Sequence, residues 1–230
     1  VVFDFTRIFS DINSNMKKIS IYCFILISLG FIGCTSKTHE KTIEDFDIRE
    51  MSLQVDTLYS RMTQAERVAQ LYGIRPKEIM EDGKLLLEKC REKIPDGIGH
   101  ICQYACALDM EPNELRDFVR DLQNYLIHET PSGIPAIFHE EAITGLAAKG
   151  ATVYPQQLGI ACTWNPELAT VKTEQTAEVM RSVGATLALS PMVDLIRTAH
   201  WPRIEESYGE DGYLSAAMGV AFVEGLQKKG

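Results

Sequence analysis

The feature that most constrains this chain is a change of period near Ile134. Upstream, apolar residues recur at helical spacing. Downstream, short apolar runs at 134–138, 158–162 and 185–189 alternate with helical stretches, and polar clusters sit where the runs stop. Strands alternating with helices predict an α/β fold with a parallel sheet, about three βα units preceded by helices. In such a sheet the ligand groups gather beyond the C-terminal ends of the strands, on one face of a barrel.

The helices carry their own signals. Thr63 and Glu66 have capping-box spacing, opening a helix that Gly73 is placed to stop. A further helix is predicted over 83–92, followed by the turn-rich IPDGIGHI. Over 112–129, Leu115, Phe118, Val119, Leu122, Tyr125 and Leu126 fall at helical spacing behind Pro112, which suits a first helical position. Asn165 as N-cap and Pro166 behind it open a helix that Gly184 ends. The last helix begins at Asp211.

The N-terminus reads as an address. Met16-Lys17-Lys18 precedes an apolar run over 19–32 and then Gly33-Cys34. A basic start, a short apolar stretch and a small residue before the break are the parts of a secretory signal. The run is short for a bilayer span, which takes about 20 residues. FIGC resembles the lipobox of bacterial lipoproteins, with Phe31 in place of the commoner Leu, so Cys34 is the expected lipidation site and membrane anchor. A plain signal peptide with a chance cysteine is the alternative. Residues 1–15 show no coherent pattern and read as an upstream extension of this signal, which ends at 34. Residues 35–50 are polar and charged, a tether to a folded part over 51–230. The expected location is therefore exported, on the periplasmic or the cell-surface face.

Of the 230 residues, 45% are hydrophobic, enough to bury the core of one domain or slightly less. A formal net charge of −9 argues against a nucleic-acid groove and for a neutral or cationic partner. Setting aside Cys23 and Cys34 leaves Cys90, Cys102, Cys106 and Cys162, none at metal-type spacing with His, so no metal site is expected. They read as buried or free thiols rather than a disulfide framework.

Three polar clusters follow the predicted strands: His139-Glu140-Glu141, then Asp194 with Arg197, then HWPRIEE over 200–206 with Glu210-Asp211 behind it. Carboxylates beside guanidinium and indole groups suit carbohydrate, because sugar hydroxyls take bidentate acceptors and a fixed donor fork. By residue type alone other readings stand beside this one. Glu205 and Glu206 serve equally as a solvated pair, and Asp211 reads first as an N-cap. His139 and His200 read as packed or hydrogen-bonded rather than catalytic, and Arg203 is also placed to neutralise its Glu neighbours.

RMTQAERVAQL, GIPAIFHEEAITG, GATVYPQQLGIACTWNPEL, LALSPMVDL and HWPRIEESYGEDGYL occur in this order with close spacing. As a set they resemble the N-terminal catalytic domain of glycoside hydrolase family 3, the β-glucosidases and β-xylosidases, over roughly residues 55–230. The resemblance implies the N-terminal part of a TIM-like (β/α)8 barrel and retaining hydrolysis of β-linked sugars without metal or organic cofactor. The expected partner is an oligosaccharide or β-glycoside. Glu141 matches the acidic residue that hydrogen-bonds the innermost sugar, and Arg203 the final Arg of the sugar-binding loop. Arg197 and Trp201 are also kept in that loop, whereas Thr198, Ala199, His200 and Pro202 depart from the family pattern.

The resemblance also implies that nucleophile, acid/base and a sugar-holding Lys-His pair lie downstream of LQKKG. Glu141 and Glu206 are therefore not read as the catalytic pair, and the isolated chain is expected to be marginally folded and inactive. Two other readings stay open: a non-catalytic glycan-binding lipoprotein, and an inactive gene fragment.

Overall fold

The computed structural model describes residues 48–228, with side chains from Ser52 onward. The signal, Cys34 and tether residues 35–47 lie outside the described residues; residues 48–50, expected in the tether, already belong to helix α1 (Ile48–Arg61). The chain divides into two units, Val1–Gln54 and Val55–Gly230, and the second carries all that follows. No helix among the described residues is long and apolar enough to cross a membrane.

The capping box forms as its spacing requires. Thr63 Oγ1 accepts from Glu66 N at 3.2 Å, Glu66 Oε2 accepts from Thr63 N at 2.6 Å, and α2 (Gln64–Ala69) follows. That helix stops short of Gly73, which instead opens strand β1 (Gly73–Ile74). A one-turn 3-10 helix (Pro76–Ile79) leads into a hairpin of β2 (Met80–Glu81) and β3 (Lys84–Leu85). Its two turn residues, Asp82 and Gly83, have φ of 47° and 75°, the left-handed pair of a tight hairpin turn. The helix expected over 83–92 therefore begins later, as α3 (Leu87–Lys93).

Next come β4 (His100–Cys102), α4 (Tyr104–Ala107), α5 (Pro112–Glu129) and β5 (Ile137–Glu140). α6 (Gln157–Ala161), α7 (Pro166–Ser182), β6 (Leu187–Ala188) and α8 (Gly212–Gln227) complete the chain. The main sheet is parallel in the order β1-β4-β5-β6, so each strand joins the next across helical segments. An α/β fold with a parallel sheet is what the sequence pattern requires, but two of its strands lie elsewhere than expected. The run 158–162 is helix α6: Gln157, Ile160 and Ala161 are its buried positions, a helical and not an alternating spacing. A short apolar run does not distinguish the two by itself. In its place the sheet recruits β1 and β4, two and three residues long, from segments read as a helix stop and a turn.

One face of the sheet is covered. Ile101 pairs in register with Phe138, and both pack against the apolar stripe of α5, where Leu115, Phe118, Leu122 and Leu126 are buried. Tyr104 meets Phe138 edge-on at 5.1 Å and stacks beside Phe118 at 6.3 Å. Its hydroxyl donates to Val183 O at 2.7 Å, tying α4 to the end of α7. A second cluster joins α6, α7 and α8 through Ile160, Ala169, Tyr208 and Met218. There α7 and α8 approach so closely that a Cβ on Gly225 would come within 2.5 Å of Thr170 O.

Candidate functional site

The site is built where β4 and β5 end. Gln103, directly after β4, takes a left-handed backbone with φ 50°, and its amide donates to His139 O at 2.9 Å. Ala142, two residues past β5, turns the chain with φ 58°. Between these turns lie the two carboxyl groups. Glu140, the last residue of β5, shares the helix-covered face with Phe138 and is 2% exposed; its Oε1 accepts from Ala105 N at 2.7 Å. Glu141 is exposed, and its Oε1 accepts from Gln103 Nε2 at 2.8 Å. Burial pushes the Glu140 carboxyl up to about 7, outweighing the Ala105 bond that holds it down, and the charge of Glu141 adds to the rise.

The loop after β6 supplies the cationic group. A 3-10 turn (Ile204–Glu206) brings Glu206 back against Arg203, whose Nε donates to both carboxylate oxygens at 3.0 Å while a terminal nitrogen donates to Oε2. That bond raises the Arg203 pKa further, with smaller contributions from Glu206, Glu141 and Asp194. Glu140, Glu141, Arg203 and Glu206 line one cavity of about 380 Å³, with Cys106 and Gln156 beside them. The loop from Ala142 onward, which also lines it, is pinned from below. Buried Lys172 donates to Ile143 O and to Pro155 O, the latter at 3.0 Å, and burial pulls its pKa down to about 8.

Glu141 and Arg203 are thus brought to one cavity. Arg197 and Trp201 are not; they line a separate hollow of about 430 Å³ with Asp194 and His200. His139 is hydrogen-bonded, its Nδ1 lying 3.3 Å from Nδ1 of His100 on the uncovered side of the sheet, and burial lowers its pKa with His100 assisting. Asp211 is an N-cap, accepting from Leu214 N at 2.7 Å. Cys90, Cys102, Cys106 and Cys162 are free thiols. Among the described residues no group of three or more His, Cys, Asp or Glu side chains is arranged to hold a metal ion.

Gln103 was not among the residues singled out by sequence. It stands 38 residues from Glu141 and reaches it only because β4 and β5 pair. Glu140 carried a signal, since its alternation with Phe138 puts it on the covered face.

A sequence model of the glycosyl hydrolase family 3 N terminal domain matches residues 65–230. A beta-xylosidase of Formosa agariphila is 46% identical over 104 residues, 43% of this chain and 14% of that protein. Among solved structures, a β-glucosidase from Erythrobacter marinus aligns with TM-score 0.69 and 33% identity, over 79% of this chain and 24% of its own. A beta-glucosidase from Listeria innocua in complex with glucose aligns with TM-score 0.62 and 29% identity, over 77% and 24%. The chain therefore spans about a quarter or less of the length of each of these relatives.

Proposed function

The chain belongs to glycosyl hydrolase family 3, through its N-terminal domain, and on that premise we propose that the protein hydrolyses β-glycosidic bonds, this chain supplying the sugar-binding rim. The observation that carries the reading is the meeting of Glu141 and Arg203 in one cavity at the ends of the parallel strands. A carboxylate accepts from vicinal sugar hydroxyls and a guanidinium donates to them, so the pair grips one pyranose from two sides. Arg197 and Trp201, on the second hollow, offer a guanidinium and an aromatic face to a neighbouring sugar unit.

Retaining hydrolysis needs a nucleophile and an acid/base about 5–5.5 Å apart. Glu206 bonds to Arg203 and Glu141 to Gln103, contacts that suit a binding rim, and the family resemblance places the catalytic pair elsewhere in the protein. The chain alone then binds sugar without cleaving it. Lipidation at Cys34, with the protein exported to the periplasmic or the cell-surface face, completes the proposal; a Cys34→Ala variant that still incorporates a palmitate analogue would remove it.

Titration of the full chain with D-glucose and D-xylose, followed by NMR, tests the sugar site. Binding that is lost in both Glu141→Ala and Arg203→Ala supports it; binding unchanged in both variants, or no binding by the unaltered chain, overturns it. Turnover of a chromogenic β-glucoside or β-xyloside by this chain, abolished in Glu141→Ala, would move Glu141 from binding to catalysis.

A further inference from the structure

Glu140 lines the same cavity as Glu141, yet it sits beneath the rim, buried at the end of β5. Its bond from Ala105 N fastens the strand to the first turn of α4. Gln103 precedes that turn, its carbonyl accepting from Ala107 N, its backbone amide donating to His139 O and its carboxamide donating to Glu141. The bonds run in one chain: Glu140 to α4, α4 to Gln103, Gln103 to Glu141.

We propose that Glu140 is a positioning residue for the sugar pocket, seating α4 so that Gln103 aims the carboxylate of Glu141. This rests on the reading of Glu141 as a sugar ligand. The groups around Glu140 are few. Tyr104, whose hydroxyl is taken by Val183 O, and the Cys106 thiol come from α4. His139 and Glu141 flank it in sequence, with His100 against His139. Arg203 and Glu206 line the cavity from the loop after β6, and Arg75 acts at longer range on Cys106. With its pKa lifted to about 7 by burial, Glu140 changes charge in the neutral range. An ionised carboxylate holds an amide proton more tightly than a neutral one, so the hold on Glu141 strengthens as pH rises through that range.

The test is a titration of the full chain from about pH 5.5 to 8.5, spanning the shifted carboxyl. It follows the side-chain amide resonances of Gln103 and the affinities for D-glucose and D-xylose, in the unaltered chain, Glu140→Gln and Glu140→Ala. In the unaltered chain the Gln103 resonances should move with the titration of Glu140. Affinity should fall about three- to tenfold toward acid pH, the difference between a charged and a neutral acceptor. Glu140→Gln should stay at the acid-side affinity at every pH, and Glu140→Ala below it. Gln103 resonances that stand still while Glu140 titrates, or a Glu140→Gln variant with the unaltered pH dependence, would overturn the proposal. If neither sugar binds, the sugar reading fails, and the Gln103 resonances still decide the positioning role.

Discussion

Gln103 Nε2 donates to Glu141 Oε1 across 2.8 Å, joining the ends of two neighbouring parallel strands. One of the carboxylate's acceptor sites is thereby taken, which leaves the second oxygen for a ligand. Gln103→Asn isolates this contact, because Asn tolerates the left-handed backbone at this position but is one methylene short. We expect sugar affinity to fall about tenfold, the cost of losing a hydrogen bond to a charged group. Urea unfolding should show stability within about 1 kcal/mol of the unaltered chain.

Glu140 should set a stability profile that runs opposite to that of a salt-bridged carboxylate. Its folded pKa of about 7 lies above the ordinary carboxylate value because of burial. Between the unfolded and folded values the folded chain binds more protons, so the stabilisation is complete at acid pH and is lost as pH rises through about 7. Glu140→Gln should therefore gain on the order of 2–3 kcal/mol relative to the unaltered chain at pH 8, and close to nothing at pH 4. Urea titrations at the two pH values check it.

Lys172 holds two loop carbonyls from a buried position. Lys172→Ala leaves both without their donor and opens a cavity, for an expected loss of about 2–4 kcal/mol in urea unfolding. The amine itself has its pKa drawn down to about 8 by burial, so the unfolded chain binds more protons above that value. Stability should consequently rise with pH from about 8 toward 10, and that rise should vanish in the variant.

Arg203→Lys keeps the charge and loses the fork that spans both Glu206 oxygens. Affinity for D-glucose should drop about tenfold or more. The ion pair is on the surface, so the unfolding midpoint should barely move. A large loss of stability would mark Arg203 as a structural rather than a ligand-facing group.

Legibility in the sequence follows the range of the interaction. Thr63 with Glu66, Asn165 before Pro166, and Asp211 form their caps because each signal and its target lie within one turn. The stripe on α5 repeats often enough to be read directly. β1 and β4 are too short to establish a period, and their pairing depends on a register that only the assembled sheet defines. The apolar character of 158–162 was plain, while its helical state is set by Gln157 and Ile160 turning toward the second cluster. At the site, Glu141 and Arg203 lie in polar clusters behind the predicted strands, and it is the family resemblance that singles them out there. Gln103 stays hidden because its significance comes wholly from β4.

The left-handed turns at Gln103 and Ala142 are made without glycine. A side chain at each of these corners denies the backbone most of the conformations that glycine would permit. Each corner therefore holds a conformation that L-residues seldom adopt, kept in place by its surroundings, at Gln103 by the bond from its backbone amide to His139 O. Glycine at position 142 would take the same turn without that steric cost, so the strain at this corner belongs to the alanine side chain.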